Sequence, residues 1–327
     1  MEHRPLGHTG LQTSAIGLGT WVMGGSFWGG AEDRDSLATI RRAIELNITL
    51  IDTAPIYGHG RAEELVGQAV QESGQRDRLI IATKVGLEWN SLKTKVWRDS
   101  SGTRIGHEIG ESLRRLRTDY IDIYQVHWPD RDTAYEDTMA ALVELKEKGL
   151  IRFIGLSNFD VAQTNRCLSV GPVHVMQPPY NLFERKVESD LLPFCREHGV
   201  AALAYGPLCR GLLTGKYRGS ETFTLGDIRT MDPKFNAPRF EQYVACVDRL
   251  GTVAARSHKS VAQLAVRWCL DQPGVTVALC GARRPDQIEE TADVSGWVLS
   301  AADRSEIDRI ISETVIDPVG PEFMQPP

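Results

Sequence analysis

Eight short apolar runs recur along the chain, each followed by an amphipathic segment, and this alternation restricts the fold more than any other property of the sequence. The runs span 14–18, 49–51, 79–83, 121–126, 152–156, 173–176, 201–204 and 275–279. They are apolar throughout rather than at every second residue, which predicts burial on both faces, as in a parallel sheet covered by helices. Helical periodicity is expected over 35–46, 62–72, 105–115, 135–147, 161–167, 188–197, 240–257 and 261–271, with a further helix after residue 284. In the third of these, Ile109, Leu113 and Leu116 fall four and three apart, on one helical face. Eight such units predict an α/β fold of the (β/α)8 TIM-barrel type.

Before the first run, residues 4–13 read as a β-hairpin turning near Thr9-Gly10, placed to plug one end of the barrel. The stretch 206–239, rich in Gly, Pro and Thr, is a long loop after the seventh strand, and loops of that length are usually functional or disordered. The Pro-rich residues 317–327 cannot form a helix and are expected to be an extended tail. No Ser/Gly-rich linker, repeat or low-complexity tract divides the chain. The 327 residues, compatible by length with two domains or one, are therefore expected to form a single barrel domain over 1–327.

Composition excludes several classes. With 42% hydrophobic residues and a formal charge of −6, the chain is neither disordered nor suited to nucleic acid or an anionic membrane surface. No apolar stretch is long enough to span a bilayer. The six cysteines are scattered, form no C-x-x-C and suggest reduced thiols; with a polar start lacking a secretory apolar core, the expected compartment is the cytoplasm. Oligomeric state, monomer or homo-oligomer, is left open.

Active sites of such barrels lie where strands end. Asp52 closes the second run, Lys84 the third and His127 the fourth; Ser157-Asn158, Gln177 and Tyr205 follow the fifth, sixth and seventh. Five residues beyond Asp52, on the same loop, stands Tyr57. A phenol is a weak acid, with a reference pKa of about 10, and a neighbouring cation lowers it. Lys84 is expected to be that cation, held in place by Asp52, while His127 hydrogen-bonds an incoming oxygen. Such a set donates a proton to a developing alkoxide, which is what carbonyl reduction requires. The hydride must come from a cofactor.

These residues sit in motifs that resemble the aldo-keto reductase superfamily across essentially the whole chain. They include Gly17-Leu-Gly-Thr-Trp21, Ile51-Asp-Thr-Ala-Pro-Ile-Tyr-Gly58, Ile121-Asp-Ile-Tyr-Gln-Val-His-Trp128, Gly155-Leu-Ser-Asn-Phe159, Gln177-Pro-Pro-Tyr-Asn181, Gly211-Leu-Leu-Thr-Gly-Lys216 and Gly281-Ala-Arg-Arg-Pro-Asp-Gln287. The tail resembles that of bacterial members related to general stress and inositol-operon reductases. The resemblance implies an NADP-dependent reductase of aldehydes or ketones, binding NADPH in preference to NADH, with Tyr57 as general acid and Asp52, Lys84 and His127 completing the catalytic set. By the same resemblance, the cofactor contacts would be Gly19, Thr20, Trp21, Asp52, Ser157, Asn158 and Gln177 around the nicotinamide, with Tyr205 stacked on it. Gly206, Leu208, Gly211, Leu213 and Lys216 would lie along the pyrophosphate, and Gly281, Arg283, Gln287 and Glu290 at the adenosine end. Trp21, Tyr57, Trp89, His127 and Trp128 would line the pocket for a small carbonyl substrate. The chain departs from many relatives at Gly206, Cys280 and Thr291, where a Ser, a Pro and an Asn are common, so a phosphate-facing hydroxyl and an adenine-facing amide are missing.

Other signals fail. Gly17-Leu-Gly19-Thr-Trp-Val22 has Val where a dinucleotide fingerprint needs its third Gly, and Gly211–Lys216 is one residue short of a phosphate-binding P-loop. No His-x-His pair supports a metal-hydrolase reading of Asp52, His59, His127 and His174, so no metal is expected. Cys209, in the expected cofactor loop, reads as a buried thiol rather than a redox sensor. The alternative function is a catalytically weak, cofactor-binding regulatory subunit, separable from an enzyme by whether carbonyls are turned over.

Overall fold

The computed structural model describes residues 1–327. An antiparallel hairpin, β1 (His3–Pro5) and β2 (Gln12–Ser14), opens the chain around a 3-10 turn at Gly7–Thr9. The barrel strands are β3 (Ile16–Gly19), β4 (Leu50–Asp52), β5 (Ile80–Val85), β8 (Ile121–Val126), β9 (Ile151–Ser157), β10 (Val175–Gln177), β11 (Ala201–Tyr205) and β12 (Val275–Gly281). All pair in parallel with their neighbours, and β12 closes on β3. Between β5 and β8 lies a second hairpin, β6 (Leu87–Trp89) and β7 (Val96–Arg98), which the apolar pattern did not reveal.

The helices α1 (Asp33–Glu45), α2 (Arg61–Ser73), α3 (Gly102–Leu116), α4 (Tyr135–Glu147), α5 (Val161–Leu168), α6 (Leu191–His198), α7 (Arg239–Ala255), α8 (Val261–Leu270), α9 (Pro285–Ala292) and α10 (Ala301–Thr314) accompany the strands. The helix expected over 188–197 is interrupted: a 3-10 turn at Lys186–Glu188 stops short, and α6 starts afresh where the Asp190 carboxylate accepts the Leu191 N–H. Two helices, α9 and α10, follow residue 284 where one was expected. The long loop 206–239 carries three 3-10 turns, at Cys209–Thr214, Ile228–Thr230 and Pro233–Phe235.

Strand side chains divide by parity, as the two-residue period of a pleated strand requires, except that Ile121, Ile151 and Val275 at strand starts join the outer layer despite their inward parity. Outward residues Leu18, Ile51, Ile81, Val126, Ile154, Met176 and Ala204 join the layer between barrel and helices, with Ile40, Leu65, Ile105 and Leu142 from the helical side. Inward residues Leu50, Ile80, Ala82, Ile123, Val175, Leu203, Val277 and Leu279 fill the barrel axis. Each such large aliphatic contributes about 1.5–3 kcal/mol when fully buried. Leu6 of the first hairpin joins the inner cluster, and His8 donates its N–H to Gly199 O, so the hairpin does close the N-terminal end of the barrel.

The tail, expected to be extended, is not extended throughout. It makes a 3-10 turn at Glu322–Met324 and is docked. Lys234 Nζ donates to Gly320 O at 3.1 Å, the Arg210 guanidinium lies 5.2 Å from the Phe323 ring centre, and Arg98 donates to Pro326 O at 2.6 Å. It thus runs from the loop after β11 to the second hairpin.

Candidate active site

Continuing the inward parity by one step to the C-terminal ends of the strands replaces apolar residues with polar ones. Leu50 is followed inward by Asp52, Ala82 by Lys84, Ile123 by Gln125 and His127, Val175 by Gln177, Gly155 by Ser157 and Leu203 by Tyr205. The sequence-expected site residues therefore share the mouth of one barrel because they share one strand parity.

Lys84 Nζ donates to Asp52 Oδ1 at 2.6 Å and to Thr53 O at 2.9 Å. The other carboxylate oxygen, Oδ2, accepts from Gln177 Nε2 at 2.8 Å and from Gln125 Nε2 at 3.1 Å. Tyr57 stands in front of this pair, its ring centre 5.0 Å from Lys84 Nζ and 5.8 Å from that of His127, which meets it edge-on. Tyr57 and His127 each retain 9% exposure, whereas Lys84 retains none, so the phenol and imidazole face the mouth and the ion pair lies behind them.

Glycines fix the Tyr57 loop. A Cβ on Gly24 would fall 2.4 Å from the Tyr57 carbonyl carbon, so the loop after β3 touches the backbone of Tyr57-Gly58 only because no side chain intervenes, and Gly58 itself takes φ +65°. On the other side Trp21 stacks on Tyr57 with centres 6.1 Å apart, and Trp28 meets Trp21 edge-on at 5.2 Å.

The electrostatics correct one expectation. Lys84 does not ease Tyr57 toward phenolate. Burial, then Asp52 and Tyr205, push the phenol well above its ordinary pKa. Burial likewise lowers Lys84 and outweighs the support it receives from Asp52. His127 is held well below the usual imidazole range by burial and by Lys84. At neutral pH the site presents a protonated phenol and a neutral imidazole, two hydrogen-bond donors facing one opening.

The remaining expected residues fall into three groups. Asn158, in the left-handed region at φ 64°, accepts the Tyr205 hydroxyl at 2.9 Å and donates to His127 O at 2.9 Å, bracing the mouth. Ser157 Oγ donates to Gln177 O. Gly19 and Gly281 are register partners at the ends of β3 and β12, leaving a strip of bare backbone beside Thr20, whose hydroxyl bonds Asp52 O. Trp89 packs against His59 at 5.1 Å on the second hairpin, and Trp128 is half-buried beyond His127.

Farther out, Cys209, Gly211 and Leu213 lie in the 3-10 turn after β11 and Leu208 caps its start, with Gly206 and Gly211 at positive φ. Cys209 is fully buried and its thiol pushed up by desolvation, a plain interior thiol. Arg283 donates to Trp28 O, and Ile228 N–H to Phe27 O at 2.8 Å, so the loops after β3, β11 and β12 meet. Gln287 and Glu290 are engaged within the protein: Gln287 Oε1 accepts the Arg283 N–H at 2.8 Å and Glu290 accepts the Ser260 hydroxyl at 2.6 Å.

Three residues beside the expected ones were missed. Gln125 lies inside an apolar run rather than at its end. Trp28, whose indole Nε1 is buried without a partner, is followed by two glycines and reads as loop. Arg229 reaches the Lys216–Arg283 region from the long loop and carries an ion pair with Asp227. Only Gln125 left a legible signal, a polar residue in a strand buried on both faces.

The closed parallel barrel is of the (β/α)8 class, and residues 15–312 match the aldo/keto reductase family, to which the chain belongs. It is 49% identical over 328 residues to "Aldo-keto reductase YhdN" of Bacillus subtilis, covering 100% of this chain and 98% of that one. It is 36% identical to "NADH-specific methylglyoxal reductase" of Escherichia coli, over 93% of this chain and 96% of that one. Among solved structures, the glycerol dehydrogenase AKR11B4 from Gluconobacter oxydans superposes with a TM-score of 0.88 at 44% identity, covering 97% of each chain.

Proposed function

We propose that this chain reduces aldehydes or ketones to alcohols with a nicotinamide cofactor, NADPH in preference to NADH, as a single barrel domain in which Tyr57 is the general acid. The observation that carries this reading is the pairing of a protonated Tyr57 and a neutral His127 at the mouth, backed by the buried Lys84–Asp52 ion pair. His127 orients the carbonyl oxygen by donating to it, and Tyr57 delivers the proton that the oxygen takes up as it becomes an alkoxide. Lys84 compensates the phenolate that remains. Trp21, Trp89 and Trp128 wall the substrate side and exclude water.

The residues fit an anionic dinucleotide. Lys216 and Arg283 have no carboxylate partner, whereas their cationic neighbours Arg229 and Arg284 are paired with Asp227 and Asp286. Mutual repulsion accordingly contributes to lowering both: Arg229, Arg283 and Arg284 act on Lys216, and Arg229 on Arg283, after the effect of burial. Such a patch suits phosphate, including a 2′-phosphate. When bound, the reduced nicotinamide supplies the hydride. Gly19, Thr20, Ser157, Asn158, Gln177 and Tyr205 would hold its ring end, Gly206, Leu208, Gly211, Leu213 and Lys216 its pyrophosphate, and Gly281, Arg283, Gln287 and Glu290 its adenosine.

The test is a screen of NADPH and NADH oxidation with aldehydes, ketones, sugars and quinones. Turnover with at least one carbonyl class, favouring NADPH, is expected. Preference for NADH, the cofactor in the name of the Escherichia coli relative, would overturn the cofactor assignment alone. Tight cofactor binding without turnover of any carbonyl would make the chain a regulatory cofactor-binding subunit instead.

A further inference from the structure

Gln125 occupies the inward face of β8, two residues before His127, with Lys84 and Gly155 as its register partners on β5 and β9. It is fully buried, in the first polar layer above the apolar Ile123, Ala82 and Val175. Leaving an amide there without partners would cost about 1–3 kcal/mol, so its bonds matter. Nε2 donates to Asp52 Oδ2 at 3.1 Å, and Oε1 accepts from Gln177 Nε2 at 3.2 Å. Space for it comes from Gly155, where a Cβ would fall 2.7 Å from Gln125 Cγ. The barrel thus gives up a side chain on the adjacent strand to admit this one.

The Gln177 amide has two N–H donors, and both are committed, one to Asp52 and one to Gln125. Its carbonyl oxygen is therefore the end left for an outside partner. Turning the amide over would set that oxygen against the Asp52 carboxylate and leave Gln125 Oε1 without a donor. Gln125 also supplies one of the three side-chain donors on Asp52, the others being Lys84 and Gln177.

We propose that Gln125 is a positioning residue: it locks the Gln177 amide so that its oxygen, not its nitrogen, faces the nicotinamide carboxamide, and it completes the donor shell of Asp52. This rests on the cofactor placement proposed above. The charged and titratable groups around it are Asp52 on β4 and Lys84 on β5, with His127 beyond it on its own strand and Tyr57 in front of Lys84.

Two variants test it, with NADP+ binding to full-length protein followed by tryptophan fluorescence, independently of turnover. Gln125→Met keeps volume but frees Gln177, and is expected to weaken NADP+ binding about tenfold at every pH. Gln125→Glu reproduces the amide while its carboxyl is protonated, donating to Asp52 and accepting from Gln177. Once ionised, it opposes Asp52 at short range. Near wild-type affinity at low pH, falling at least tenfold as pH rises, is expected for that variant, a dependence that Gln125→Met and the wild type lack.

If Gln125 only fills space, Gln125→Met binds NADP+ within twofold of wild type, or Gln125→Glu changes affinity equally at every pH; either result overturns the proposal. Should Gln125→Met fail to fold, the pH dependence of Gln125→Glu decides alone. Wild-type protein that binds NADP+ but reduces no carbonyl would sink the reductase reading and leave this titration intact.

Discussion

The Tyr57 ring lies 5.0 Å from Lys84 Nζ, and Lys84 in turn lies 2.6 Å from Asp52, so the phenol and the buried ion pair are separate layers of one stack. Removing the hydroxyl alone leaves the packing on Trp21 in place. Tyr57→Phe should lower kcat by about 10²–10⁴-fold, the usual contribution of a positioned acid. Cofactor affinity and melting temperature should stay near wild type. Steady-state kinetics with a fluorescence titration check this, and undiminished turnover would remove Tyr57 from its role.

The ion pair behind it is structural as well as electrostatic. Lys84→Met leaves the Asp52 carboxylate buried with only two amides, and breaking one side of a buried pair costs about 3–5 kcal/mol. Denaturant unfolding should register that loss alongside abolished turnover. The double variant Lys84→Met with Asp52→Leu should regain part of the stability and none of the activity.

His127 predicts a pH signature. Its folded pKa is depressed, whereas an unfolded histidine titrates near a pKa of about 6.5. Below that value the unfolded chain binds a proton that the folded one refuses, so stability falls as pH drops, by up to about 1.4 kcal/mol per pH unit. Between pH 5 and 6.5 the wild type should lose stability faster than His127→Gln, and the two should run parallel above pH 7.5. Equal slopes throughout would contradict a neutral, buried imidazole.

Phosphate recognition is testable at Arg283. A charge-assisted hydrogen bond contributes about 1.5–3 kcal/mol. Arg283→Ala should therefore weaken NADPH binding by about ten- to a hundredfold while changing NADH binding much less. Equal losses for both cofactors would move the 2′-phosphate contact elsewhere.

The docked tail covers a buried quartet of charges. Arg210 pairs with Glu184 and with Asp232 at 2.6 Å, and Lys234 pairs with Glu184 at 2.8 Å. Glu184→Gln removes one of two anions facing two cations and should cost about 3–5 kcal/mol. Calorimetry should report a clear drop in melting temperature, and an unchanged value would show that the tail lets water reach the quartet.

Strand ends were the legible part of this site. Asp52, Lys84, His127, Ser157, Gln177 and Tyr205 could be found because each terminates an apolar run, and all six lie at the mouth. Gln125 escaped because it interrupts a run without ending it, and its partners, Asp52 and Gln177, are 73 and 52 residues away. The second hairpin escaped because both its strands are only three residues long and partly exposed, too short for a period to declare itself. The docking of the tail depends on Arg98, Arg210 and Lys234, contacts between distant segments that leave no local trace.

The parity of the inward residues also sets where this protein can change. Deleting one residue within β4, β5, β8 or β10 would turn Asp52, Lys84, Gln125 or Gln177 outward under the helices and bring an aliphatic side chain into the mouth. Loops carry no such constraint, and the hairpin β6–β7 is one already inserted between two barrel strands. Loop lengths can therefore change without disturbing the polar ring, whereas an in-frame deletion of one codon within these strands disrupts the polar ring and the core together.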